Sequence, residues 1–261
     1  YNKLHFTIDT QSNPSDALYA IQVSTDNFAS DIRYVKSDLT LGASLTLGDY
    51  KTYAAWGGSS GANIIGLSSA TTYQARIKAT QGKYTESAFG PSSSATTASP
   101  SITFSLTTSG QAVPPFAITY PSLLEGSVTA SPDTINTSLD TNAANGANVY
   151  VTGKNGGLLS SSTGYLINAV TNNLGSIAEG FGAQNTSIGQ TNGGPFSVLS
   201  PYDATGNEVG ILDATTRGLY MTPGPVSGGT ATLTLLAKAS NASIAATDYT
   251  DVLTFITAGN Y

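Results

Sequence analysis

The chain has no cysteine in its 261 residues. Disulfides and thiolate metal sites are therefore excluded. Charge is also scarce: charged residues are 10% of the chain, against roughly 25% in an average soluble protein. Ten Lys and Arg stand against sixteen Asp and Glu, for a net charge of −6. That balance argues against nucleic acid as a partner, because phosphates demand a basic face. No Lys/Arg run exists that could dock on anionic lipid. No apolar stretch reaches the ~18 residues of a membrane span, so no membrane insertion is expected. The chain starts at Tyr1 rather than Met. We read this as the mark of a removed leader or of an excised fragment.

Ser, Thr, Gly, Asn and Ala fill the gap left by charge, giving a polar, uncharged surface of the kind that suits extracellular β-proteins. A secreted protein without disulfides is ordinary in bacteria. The length allows one large or two ordinary domains. Residues 91–100, PSSSATTASP, bracket small polar residues between two prolines. This is the composition of a surface linker, and it divides the chain into residues 1–97 and 98–261.

The first part reads as strands throughout. Leu4, Phe6 and Ile8 alternate with polar residues; Ala20–Ser24, Ile32–Val35, Tyr50–Trp56 and Asn63–Ile65 follow, separated by turn clusters at 12–15 and 56–61. Short strands at regular spacing without helical periodicity predict a β-sandwich. The most informative stretch is 67–79, where Leu67, Thr71, Tyr73, Ala75, Ile77 and Ala79 fall at alternate positions. That is a strand with one buried face. Tyr73 stands where a sandwich strand begins, so its ring can bury while its hydroxyl bonds backbone upstream, in residues 67–71.

This pattern resembles the E–F corner of fibronectin type III domains, and the resemblance covers most of residues 1–97. It implies a spacer or binding module rather than an active site. Ser69 stands where the family has proline, Trp56 lies away from the family's second strand, and the span from Ile21 to Ile64 is longer than the family's. If Leu4–Ile8 is the family's second strand, the chain begins too late to contain the first, and the sandwich has an unpaired edge. If Leu4–Ile8 is itself the first strand, it does not.

The second part is also β, with strands expected at Ile102–Leu106, Val149–Val151, Tyr165–Ile167, Thr232–Leu236 and Val252–Ile256. Long polar stretches intervene, notably Gly180–Gly194, and residues 168–179 are the one place where a helix is allowed. The closing run Thr247–Phe255 reads as one final strand. Together with Leu124–Val128 and Thr141–Gly146, it resembles bacterial pilin-like and spore-coat-like surface sandwich domains. The predicted fold class is therefore all-β, two tandem β-sandwiches.

Chemistry is sparse. Residues 57–61, GGSSG, match the G-x-S-x-G motif of hydrolases, which needs a strand-to-helix turn to expose the serine. Here the motif lies between two strands, and His5 is the only histidine. A serine triad needs a base within hydrogen-bond reach, so no nucleophile is expected at Ser59 and no enzyme activity. A lone histidine without cysteine partners cannot build a zinc site. Asp203, Asn207, Glu208 and Asp213 form a candidate calcium site in the loop 201–213, and Asp26, Asn27 and Asp31 form a smaller group. Otherwise both groups are turn formers, for which Asp and Asn are favoured. Tyr50, Tyr53 and Trp56 could serve as a sugar platform, yet 50 and 53 fall on opposite faces of a strand, which favours core packing. Asn136, Asn185 and Asn241 open N-x-[ST] sequences.

The sequence points to a non-enzymatic extracellular subunit of a bacterial cell surface, in a filament, pilus-like fibre or surface layer. Its expected partners are copies of itself, joined head to tail through strand edges, and calcium is the one cofactor considered. The alternatives are a monomeric adhesin or carbohydrate-binding module, or an accessory fragment of a secreted hydrolase.

Overall fold

The computed structural model describes residues 1–82 and 85–261. Among the described residues the regular structure is strand plus three short 3-10 turns. The chain divides into two compact units, Tyr1–Pro100 and Ser101–Tyr261.

The first unit contains β1 (Leu4–Phe6), β2 (Leu18–Ser24), β3 (Arg33–Val35), β4 (Leu41–Gly42), β5 (Lys51–Thr52), β6 (Ala62–Ile64), β7 (Thr72–Gln81), β8 (Thr85–Glu86) and β9 (Ser93–Thr96). Seven of these make one antiparallel sheet with β2 and β7 at its centre; β3 and β5 pair with β2, and β8 and β9 pair with β7. The remaining two, β1 and β6, pair only with each other. Tyr19, Ile21 and Val23 of β2 meet Ile64, Leu67 and Trp56 in the core. The indole of Trp56 is 1% exposed. Its Nε1–H donates to the Tyr19 carbonyl at 2.8 Å, and Phe6 packs edge-on at 5.9 Å. Phe28, Arg76 and Phe89 cover the other face of β2, where Gln22 is buried and accepts from Arg76 Nε at 2.7 Å.

The expected corner forms. Tyr73 is 5% exposed, and its hydroxyl oxygen accepts the Ser68 N–H at 2.9 Å. Two expectations are corrected. The proline-bracketed stretch is not a plain linker, because its centre is β9, paired with β7 from Thr96 to Ser93. Thr97 anchors it: its hydroxyl donates to the Ser68 carbonyl and accepts the Thr71 N–H. The run Tyr50–Trp56 is a strand only at 51–52, since the chain then coils through 3-10 turns at Ala54–Trp56 and Gly58–Ser60 to bury the indole.

The second unit contains β10 (Ile102–Thr108), β11 (Thr129–Ala130), β12 (Ile135–Thr141), β13 (Ala147–Gly153), β14 (Gly157–Ser160), β15 (Leu166–Asn168), β16 (Asn172–Asn173) and β17 (Gly180–Gly189). After these come β18 (Asn192–Gly193), β19 (Ser197–Val198), β20 (Glu208–Val209), β21 (Arg217–Thr222), β22 (Val226–Lys238), β23 (Tyr249–Thr250) and β24 (Leu253–Gly259). The long strand β22 is the hub, pairing with β12, β11, β17 and β18. A second sheet runs β19-β21-β13-β24, and smaller sheets join β15-β14-β23 and β16-β20. Alternation builds the core: Ile135, Thr137, Leu139 and Thr141 of β12 and Ala147, Val149 and Val151 of β13 are buried, with half-buried or exposed residues between them. At the end of β22 both faces are covered. Leu235 and Ala237 join the main core, while Leu236 packs with Leu174 and Val209.

Five readings of this part are corrected. Residues 168–179 contain no helix; they hold the end of β15, the two-residue β16 and turns. The polar stretch 180–194 is not a loop, since β17 pairs with β22 along its whole length and buries Phe181 and Ala183. Leu124–Val128 is not a strand, and Leu124 is 63% exposed. The residues after Thr141 turn the chain from β12 into β13, where Gly146 takes φ 74°. A side chain there would strike the Thr222 carbonyl. The closing run is two strands: β23 pairs with β14 and β24 with β13. Asp251 sits at the break, accepting the N–H groups of Asn155 and Val252.

Candidate functional site

The first unit has one incomplete surface. β1 is paired on one edge, by β6, and no described residue pairs with its other edge. An unpaired strand edge offers a row of free N–H and C=O groups. Beside it a groove of about 710 Å³ opens between β1 and the large sheet. The alternation of β7 turns Ala75, Ile77 and Ala79 inward with Tyr73, yet these three are only half-buried. Ala95, opposite Tyr73 in register, is exposed. A two-stranded sheet is too narrow to cover a seven-stranded one, and the groove is the uncovered part.

The groove also holds an orphan. Tyr19 lines it and is 2% exposed, but its hydroxyl has no hydrogen-bond partner among the described residues. A buried hydroxyl without a partner is costly. Arg76 and Lys78 also border the groove but are engaged, by Gln22 and by Glu86.

The residues singled out from the sequence fall elsewhere, apart from His5. Ser59 is exposed on a 3-10 turn, not on a strand-to-helix turn. His5 is exposed on β1, opposite Asn63, and borders both the groove and Gly61. Asp26 organises its own loop: its two oxygens accept from the hydroxyls of Ser24 and Ser30 and from the N–H groups of Ala29, Ser30 and Asp31. The Ser30 hydroxyl is the largest of the causes that hold this carboxyl far below its ordinary range. Asp31 accepts from Thr25 and Arg33. Asn27 and Phe28 take positive φ between them, completing a tight turn.

Of the calcium candidates, Asp203 and Glu208 border a shallow hollow of about 450 Å³ together with Asn172 and Asn173. Asp213 is turned to Arg217, which grips it through Nε at 3.0 Å and a terminal nitrogen at 2.7 Å. That guanidinium holds the Asp213 carboxyl below the usual range. Among the described residues no group of three or more His, Asp or Glu side chains is gathered as a metal site. Trp56 is core, with Lys51 Nζ 5.0 Å from the ring centre. Of the three sequon asparagines only Asn241 is exposed; Asn136 and Asn185 are half-buried within β12 and β17.

Three polar anchors escaped the sequence reading. Lys238, 8% exposed at the end of β22, donates to the carbonyls of Leu174 at 3.0 Å and Ile177 at 2.7 Å. Glu179 accepts the hydroxyls of Tyr165, Ser240 and Ser243. Tyr202 is fully buried and donates its hydroxyl to the Ile211 carbonyl at 2.6 Å. Burial pushes that phenol up to about 12. Apolar periodicity marks none of them, because each is a single residue meeting backbone or hydroxyls, nine residues away for Tyr202 and more than sixty away for Lys238. No family model matches this chain, and neither does any curated protein or solved structure.

Proposed function

We propose that the chain is a non-enzymatic structural subunit of an extracellular bacterial cell-surface assembly, a filament, pilus-like fibre or surface layer, whose copies join through strand edges. The observation that carries this reading is the unpaired edge of β1 beside an apolar groove. Folded proteins normally shield such edges with charge, proline, bulges or a covering segment, and β1, reading Leu4-His5-Phe6, has no proline and no acidic or lysine residue. The composition supports it as well: low charge without cysteine suits a surface polymer whose contacts are backbone ladders and uncharged side chains. So does the chemistry, since Ser59 lacks the setting of a nucleophile and the Asp26 and Asp213 carboxylates serve their own loops and ion pairs.

Negative-stain microscopy of the native material tests the reading. Extended fibres or an ordered lattice are the expected result. Isolated particles of single-chain mass at every concentration would overturn it and favour a monomeric adhesin.

A further inference from the structure

We propose that the groove beside β1 receives strand β24 of a second copy of this chain. The inference rests on the subunit reading above and names the two surfaces that meet. β24 is itself the end strand of the β19-β21-β13-β24 sheet. Its inward positions, Leu253, Phe255 and Thr257, are half-buried against its own unit. Its outward positions, Thr254, Ile256 and Ala258, are exposed, with Ile256 at 48% and the preceding Val252 at 54%. Nothing on β24 blunts the edge, for it carries no charge and no proline.

The two surfaces match in three ways. Backbone meets backbone, since each edge is missing one ladder partner. Apolar meets apolar, since the outward face of β24 presents Ile256 and Ala258 to the half-buried Ala75, Ile77 and Ala79. Charge does not oppose the fit: β24 brings none, and Asp9, Arg76 and Lys78 at the border of the groove are already engaged by Gln11, Gln22 and Glu86. The fit leaves both cores intact, because β24 would insert the face that its own unit does not use. Thr254 and the strand's carbonyls would also bring polar atoms towards the Tyr19 hydroxyl, which lacks a partner among the described residues. With the groove in one unit and the strand in the other, each copy offers one of each. Such a heterologous contact, where it does not close into a ring, propagates as an open chain.

The test uses two variants of the full chain at exposed positions, Ile256→Lys and Ala95→Lys, each first shown to unfold at the wild-type temperature. Sedimentation is followed over a concentration series. The wild type is expected to form a ladder of oligomers. Each variant alone should self-associate at least about tenfold more weakly, the factor that corresponds to roughly 1.4 kcal/mol. Mixed together, the two should form dimers and nothing larger, because the mixture contains one intact groove and one intact strand per pair. If either variant polymerises like the wild type, or the mixture forms no dimer, the pairing of these two surfaces is overturned while the subunit reading stands. If the wild type is a monomer throughout, both are overturned.

Discussion

Removing one oxygen from Tyr73 is the sharpest perturbation of the first unit. Tyr73→Phe keeps the ring, which is 5% exposed, and deletes the acceptor of the Ser68 N–H at 2.9 Å. A hydrogen bond of this kind contributes about 1 kcal/mol net, and a freed donor that stays dry costs about 1–3 kcal/mol. Ser68 is exposed, so water can reach its N–H, and the expected loss is about 1 kcal/mol. In a unit of about 100 residues that lowers the melting midpoint by about 4–8 °C. Tyr73→Ala also empties the ring's place in the core and should cost about 3–5 kcal/mol. The assay is specific without engineering: the chain has one tryptophan, Trp56 lies 1% exposed in the same core, and its fluorescence reports this unit alone. Urea melts of wild type, Tyr73→Phe and Tyr73→Ala give the three midpoints. An unchanged midpoint for Tyr73→Phe would show that the bond contributes nothing. A loss equal to that of Tyr73→Ala would show that the hydroxyl, not the ring, holds the corner.

The remaining predictions concern acid, a buried cation and a serine. Asp49 is 2% exposed, and burial alone would raise its carboxyl; the Lys36 ammonium, the Thr46 hydroxyl and the Thr46 N–H outweigh that and bring it from 3.8 to about 2. A depressed carboxylate stabilises the fold above its ordinary pKa and stops doing so as pH falls through its folded value. The stability gap between wild type and Asp49→Asn, read from Trp56 fluorescence, should therefore be full above pH 4 and close towards pH 2; a gap independent of pH would contradict the assignment. Lys238→Met leaves the carbonyls of Leu174 and Ile177 without their donor and should destabilise the second unit by about 1–3 kcal/mol, measured by circular dichroism in urea. Ser59 should not be labelled by a serine-directed fluorophosphonate, since no strained turn presents it to a base; mass-spectrometric detection of the adduct at Ser59 would falsify this.

Period-two patterns were legible wherever a strand buries one face. Tyr73–Ala79 and Ile102–Leu106 could be read directly because apolar residues alternate with polar ones there. β17 was invisible for the opposite reason. Gly180, Gly182 and Gln184-Asn185-Thr186-Ser187 look like loop, but the ladder with β22 needs only backbone, and glycine is required where Gly182 passes 2.6 Å, measured from an added Cβ, from the Val209 side chain. The closing run misled because its alternation continues smoothly across Asp251, while the chain changes sheets there. The groove was half legible. The alternation from Tyr73 to Ala79 marked the inward face, but the half-burial of Ala75, Ile77 and Ala79 depends on how little of the large sheet β6 and β1 cover, which no local pattern records.

The position of β22 sets a clock. Its bond to β12, from the Thr137 hydroxyl to the Ala231 carbonyl, spans 94 residues, and its bond from the Leu235 N–H to Ser131 spans 104. At a synthesis rate of about 5–20 residues per second, β12 waits roughly 5–20 s for its central neighbour. Sheets closed by such distant pairings then form over milliseconds to seconds. During that wait β12 has β10 as its ladder partner, and Ala147, Val149 and Val151 of β13 are the nearest later residues of the core that Ile135 and Leu139 join. The intervening Asn136, Ser138 and Asp140 keep the strand soluble, and the same polar residues that dilute the core signal protect the nascent chain until its hub arrives.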